Sequence, residues 1–493
     1  MSNSNPKNQP TRAGLAVAGG VLLAIANLGA CSNNGTSAAD AGPIPGVDGG
    51  SGVDGGAAGA KTTIIPISAT GHDRFYGVAY DSLGNLYAIG QVADSTATSA
   101  DYSTVVAKFK PTGELDPSFG SGGLAVRNVA VGTTGELFRS IVVQSTGKIV
   151  AVGAVEHAGA TDARDRDIAL LRLNPDGSKD TTFGTDGVVI LDLSTGVVNG
   201  NSFAADSAWG LDRYPDDRLV VGGGQVRTGG TDTDFVLVRL TANGARDATF
   251  ANNGVFTLDT QASGASNNAS QRHLSILPGT DGIIGAGYQP LPGADTAPAV
   301  YKVTDSGMLD TSFGVGGVFS QSVLADQTEA YSAVVQPGVQ GAYKLVTTGY
   351  GKALSTETTD LVSLRLNANG TLDPTYGAAG LARIDIGGFG DNSRQLLVLP
   401  DRRVLLAGGG RRTAADVDGV VVVLTPDGQP DTSFAQSGWR AFDLGGPADF
   451  LWSVAISPDK KTAAFVGIKG VGANPTPATA NDDAALLLLP LGS

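Results

Sequence analysis

One cysteine, three histidines and a thin scatter of charge restrict the chemistry open to this chain. Of 493 residues, 16% are charged, 6% are aromatic and three are tryptophan. The single cysteine, Cys31, lies ahead of the region predicted to fold. An internal disulfide, a thiolate metal site and a cysteine nucleophile are therefore excluded there. His72, His157 and His273 stand far apart, which argues against a histidine metal centre. No metal site and no cofactor are expected. The sequence has no Gly-x-Ser-x-Gly elbow, no His-Glu-x-x-His and no phosphate-cradling glycine loop. A net charge of −14 repels nucleic acid and anionic headgroups, so contact with a membrane would need an anchor. What the chain does have is glycine, 71 of them, which suits short strands joined by tight turns.

The N-terminus reads as an address. Lys7 and Arg12 lie in a polar start without acids, an apolar run covers 13–26, and Leu28-Gly29-Ala30-Cys31 closes it. This is the layout of a signal peptide over residues 1–30, and it falls short of the ~20 apolar residues of a membrane span. The tetrapeptide resembles the lipobox of bacterial lipoproteins, with its two small residues in swapped order. The resemblance implies cleavage before Cys31, a diacylglycerol on its sulfur and acylation of the new amine. Ser32, rather than Asp, after the cysteine implies sorting to the outer membrane. Residues 31–60 hold little to bury and are expected to form a flexible stalk.

From residue 61 to 493 one phrase recurs: Leu115-Asp116-Pro117-Ser118-Phe119-Gly120, then versions at Asp180, Asp247, Asp310, Asp373 and Asp431, 58 to 67 residues apart. It belongs to a larger unit. One unit runs through a strand and turn at 141–148, a second strand at 149–153, a third at 167–173, the turn Asn174-Pro175-Asp176-Gly177 and a short strand at 187–191. Seven such units of four strands, counting 62–67 as the first short strand, predict an all-β fold: a seven-bladed β-propeller of four-stranded antiparallel blades. The phrase, the turn and the Gly-Lys-Ile-Val-Ala-Val-Gly strand resemble the delta-60 repeat of secreted and surface proteins in bacteria. That family implies a propeller and carries no established activity. The second, third and sixth copies match well. In the fourth, the third strand at 299–303 reads as short.

The Asp-x-Ser/Thr-aromatic phrase is expected to be structural: Asp and Ser/Thr cap a turn, the aromatic seals the blade, and Gly takes the positive φ. The aspartates opening the third strands, Asp167, Asp234, Asp360, Asp418 and Asp483, are likewise read as turn caps. Short connections are expected between strands two and three and between blades, sharing one face. Long variable segments such as 154–166, 225–233 and 261–270 are expected on the other, where an unknown protein or glycan ligand would bind.

One column of the repeat stands out. Near the start of each first strand lie Tyr76, Arg139, Trp209, Arg272, Tyr331, Arg394 and Trp452, aromatic and arginine in alternation. Two residues further on come Val78, Ile141, Leu211, Leu274, Leu396 and Val454, which would place the column on the bulkier face of each blade. The ring is expected either to wedge the blades together or to form a ligand site. The chain thus reads as a cell-envelope lipoprotein, anchored through Cys31 and displaying a binding or scaffolding module. The alternative is a carbohydrate-active enzyme, a glycoside hydrolase or lyase, working in a carboxylate-lined channel.

Overall fold

The computed structural model describes residues 59–93, 101–130, 136–160, 164–194, 205–226, 233–260, 269–291, 294–471 and 481–491. The signal segment, Cys31 and all but the last two residues of the stalk lie outside them. Among the described residues there are 28 strands and one 3-10 turn, Val339–Gly341, and no helix is long and apolar enough to cross a membrane.

The strands assemble as seven four-stranded antiparallel units, two of them joined by a single parallel bridge, Thr296↔Gln327. Blade 2 shows the order from axis to rim: Leu137–Val143, Ile149–Glu156, Arg166–Leu173 and Val188–Leu191. The innermost strands are Asp73–Tyr80, Leu137–Val143, Asp206–Arg213, Ser270–Ile276, Gln327–Pro337, Asn392–Val398 and Phe450–Ile456. Each touches the next, and the last touches the first, which closes the ring of this β-propeller. The N-terminal strand, Lys61–Ile65, pairs with the C-terminal strand, Asp483–Pro490, as the rim of blade 7. Closure thus joins the two ends of the fold, and Arg74 with Asp482 adds an ion pair across the same junction.

Burial is organised by seams. Each of the seven blade-to-blade contacts has its own apolar cluster, such as Ile89, Val106, Phe138, Ile141 and Leu171 between blades 1 and 2. A single blade is apolar on both faces and buries neither alone; the ring buries both. The recurrent phrase ties each seam. Asp180 Oδ1 accepts from the amide and hydroxyl of Thr182, at 3.2 and 2.7 Å, and the same pair of bonds recurs at Asp116, Asp247, Asp310, Asp373 and Asp431. The aromatic enters the seam with the following blade, as Phe183 does between blades 2 and 3. The next amide then donates to a turn of that blade, Gly120 N to Asp176 O at 2.8 Å for example. Gly120, Gly184, Gly314 and Gly377 all hold φ between +52° and +56° at this point.

Three expectations change. The connections between strands two and three, and between blades, are the long variable ones; the short turns join strands one and two. Strands three and four are joined by the recurrent turn and phrase, so the repeated residues gather on one face and the variable segments on the other. The third strand of blade 4 is not short. It spans Ala294–Val303, carried by backbone pairing through Ala297 and Pro298, which an apolar-run reading passes over. Finally, four of the five aspartates opening the third strands hold bases, not turns: Asp167 with His157 (2.9 Å), Asp360 with Arg383, Asp418 with Arg412 (2.5 Å) and Asp483 with Lys469 (3.4 Å).

A different set of acids does the capping. Asp73, Glu136, Asp206, Asp391 and Asp449 sit three residues before the column residue, and all are buried. Each accepts backbone amides of adjoining segments; Asp391, for instance, takes Ile386 N (2.7 Å) and Arg411 N (3.0 Å). Burial pushes Asp73 and Asp206 up to about 6, and Asp391 and Asp449 up to about 7. The folded chain therefore holds protons that the unfolded chain releases near the ordinary carboxyl value of ~4. That contribution to stability is complete below ~4 and is lost as pH rises through 6 to 7. Asp116, held by Ser118 and Lys108, goes the other way, down to about 2, and its contribution is lost as pH falls below ~4. The melting temperature is therefore expected to fall between pH 5 and pH 8, and Asp391→Asn should flatten that slope. Thermal scans across this range test it; a rise toward pH 8 would overturn the account.

Candidate functional site

The seven column residues are brought together by a defect in strand pairing. In every innermost strand one residue has no partner on the second strand, and it is the column residue: Tyr76, Arg139, Trp209, Arg272, Tyr331, Arg394 or Trp452. Each is a β-bulge, which re-aims the extra side chain. The alternation rule breaks as a result. Phe75 and Val78 are three apart yet share one seam, as do Phe138 and Ile141, Ala208 and Leu211, and Leu451 and Val454. The column therefore does not lie on the bulky face of the blade, as simple alternation suggests. It turns away from the seams toward the axis.

The second strand makes room with glycine. The residue before each bulge pairs with Gly90, Gly153, Gly223, Gly287, Gly349, Gly408 or Gly467. A Cβ on any of them would stand 1.7–2.3 Å from the carbonyl oxygen two residues before the bulge. Glycine is required here for close approach. An interior strand glycine repeated at one position is a bulge signal, and it was present in the sequence.

All seven residues line one axial cavity of about 140 Å³. Arg139 lies over Trp209 at 3.7 Å, and Arg272 lies over the same ring at 3.8 Å and over Tyr331 at 5.0 Å. Arg394 lies over Tyr331 at 4.1 Å and Trp452 at 5.2 Å. An odd ring cannot alternate throughout, so two like residues must meet. They are Trp452 and Tyr76, packed edge to face at 5.3 Å. Tyr76, Tyr331 and Trp452 are 7–8% exposed, while Trp209 and the three arginines are half-buried. The aromatic faces are thus consumed by stacking, worth ~0.5–2 kcal/mol per contact, as the packing account requires. The guanidinium edges are not consumed. Burial, with Arg272, Arg166 and Arg394 nearby, pushes Arg139 down to about 9, so its positive charge is disfavoured where it stands. Beside the ring, burial pushes His273 down to about 4, leaving it neutral at pH 7.

Column spacing alone did not bring in Tyr288 and Tyr350, which flank Tyr331 at 5.9 and 5.6 Å, or the buried Glu329. The two tyrosines directly follow the bulge-facing glycines Gly287 and Gly349, a position where the other blades carry varied residues. A larger open groove of about 800 Å³ lies against the rim of blade 2, among Arg127, Asp167, Lys179, Ile190 and Asn243. It gathers no repeated set of groups, so the axial cavity is the better candidate.

Among the described residues, three side-chain groups could hold a cation: Asp360, Asp385 and Asp391; Asp418, Asp443 and Asp449; and His157, Asp167 and Asp192. Each third-strand aspartate already has its base. Asp385 and Asp443 also accept amides of Gly387, Gly388 and Gly445. With these oxygens committed, EDTA or added calcium is expected to leave the melting temperature unchanged. A calcium-dependent rise of several degrees would show that these groups bind an ion.

Three segments, 144–183, 215–250 and 399–434, match a family model described as "Domain of unknown function (DUF5122) beta-propeller". They fall on blades 2, 3 and 6, and each ends at the aromatic of the phrase. No curated protein matches the sequence. Among solved structures, Sqt1 from Chaetomium thermophilum is 12% identical, with 88% of this chain and 99% of that one covered and a TM-score of 0.43. An α-L-arabinofuranosidase from Lactobacillus brevis is 12% identical over 57% of this chain and 89% of that one, TM-score 0.31. A polysaccharide lyase, the PL25 ulvan lyase, is 10% identical over 86% and 95%, TM-score 0.43. Family match and topology agree on the architecture: the chain is a repeat-built β-propeller.

Proposed function

We propose that this chain is a cell-envelope lipoprotein of the delta-60 repeat type, held at the outer membrane by lipid on Cys31, whose propeller serves as a binding module. The ligand site in this reading is the axial ring, with the variable-segment face around it. One observation carries the site: every blade contributes one bulged side chain to a single cavity, and three of the seven are arginines stacked on aromatics. Bulges recur beside functional sites because they re-aim a side chain at the expense of pairing. A glycoside hydrolase working in a carboxylate-lined channel would need a pair of carboxylates at the scissile bond. The axial lining offers arginines and aromatics in that place, which supports binding as the reading.

Two experiments test the two halves. Cys31→Ser should move the protein out of the membrane fraction or leave it uncut, and unchanged lipid labelling of that variant would end the anchor reading. On a glycan array, Arg139→Ala and Arg394→Ala should lower binding at least tenfold while the chain stays folded by circular dichroism. Lost stability with unchanged binding would return the ring to a packing role.

A further inference from the structure

Stacking uses the two faces of a guanidinium and leaves its five in-plane N–H donors to be satisfied. In the axial ring they mostly are not. Arg272 donates from Nη2 to Tyr288 Oη at 2.5 Å. Arg139 and Arg394 have no hydrogen bond or ion pair to protein among the described residues, and the Nε atoms of all three arginines are buried without a partner. The buried Nε1 of Trp452 is a fourth donor with no acceptor. Glu329 is the acid on this side, and it attracts Arg272 and Arg394 without closing to an ion pair with either; Gln327 donates to its Oε1 at 2.9 Å, and its Oε2 is buried without a partner. Elsewhere in this protein buried arginines are paired: Arg172 with Asp180 at 2.6 Å, Arg239 with Asp247 at 2.8 Å and Arg365 with Asp373 at 2.6 Å. The half-buried axial three have no such aspartate.

Donors without acceptors, and cations without counter-ions, define the complement of an anion. The three arginines come from blades 2, 4 and 6 and so approach the cavity from three sides. A planar carboxylate offers two acceptor atoms, whereas a tetrahedral oxyanion offers acceptors in every direction, and arginine suits it for its fork of donors. We infer that the axial cavity binds a tetrahedral oxyanion, phosphate or sulfate, either free or as the terminal ester of a small sugar. A volume of about 140 Å³ admits an oxyanion with a compact body attached and is well below the ~300 Å³ at which drug-sized sites begin. In a chain of net charge −14, this cavity is a local reversal of sign. The inference rests on the axial ring being the ligand site.

The test uses the mature chain carrying Cys31→Ser, titrated with sodium sulfate, sodium phosphate, glucose 6-sulfate or glucose 6-phosphate against sodium chloride at matched ionic strength. A saturable rise in melting temperature with 1:1 stoichiometry by calorimetry is expected. Arg139→Gln and Arg394→Gln should weaken binding at least tenfold, each measured against its own baseline. If a variant fails to fold, phenylglyoxal labelling of the unsubstituted chain replaces it: the anion should protect Arg139, Arg272 and Arg394. An ester that binds tenfold tighter than its inorganic ion identifies the ester as ligand, and equal affinities identify the free ion. Sulfate also stabilises proteins by exclusion from their surface. A rise that never saturates and is the same in the variants, or an absence of protection, would overturn the inference. If no oxyanion binds but glycan-array binding still depends on the ring, the oxyanion class fails and the site stands. If array binding ignores the ring, the site itself fails.

Discussion

Seven times around the axis, a glycine on the second strand lets the carbonyl of the innermost strand approach to a distance that no Cβ could tolerate. That contact permits the bulge, and the bulge decides where a column of large side chains goes. Without it, strict alternation would leave Tyr76, Arg139 and their equivalents in register with Val78 and Ile141, competing for space in the seams. With it, residues three apart share a seam and the one left over turns to the axis. The close approach therefore sets both the packing of the blades and the lining of the cavity.

The rest of the fold is a solution to closing a ring of blades that are apolar on both faces. Seams supply the burial, and the Asp-x-Ser/Thr-aromatic phrase supplies registry, since its aspartate shapes the turn while its aromatic and the following amide reach the next blade. Where strand three carries an arginine eight residues before that aspartate, the pair is buried and the guanidinium also lies over the aromatic, as with Arg172 on Phe183 at 4.4 Å. The last seam has no blade to follow it in sequence, so the N-terminal strand completes blade 7 beside the C-terminal one. Buried acids then fix the segments entering five blades, at an electrostatic cost that grows as they ionise.

Seven is also what makes the ring asymmetric. Alternating cation and aromatic gives each guanidinium a ring to lie on, but an odd count forces one like pair. Two aromatics can meet edge to face with gain, whereas two arginines would add repulsion to a cavity that already holds three. The seam between Trp452 and Tyr76 falls at the closure between blades 7 and 1, beside the joined chain ends.

The period, the four strands per unit and the structural role of the phrase were legible in the sequence, because turns and strand alternation are set by residues within a few positions of one another. The alternating column was legible too, and the structure brings all seven members to one cavity. The direction they point was not. A bulge is a relation between two strands, and its mark, the glycine, sits on the strand opposite the residue it releases. The caps at Asp73, Glu136, Asp206, Asp391 and Asp449 were equally hidden, since their amide partners lie on neighbouring segments. The sequence by itself determined the repeat, the strand content and the residues of the ring. Tertiary structure decided which ends join, which face holds the variable segments, and that three guanidiniums meet without closing an ion pair, because each depends on groups that only a closed ring brings within hydrogen-bonding distance.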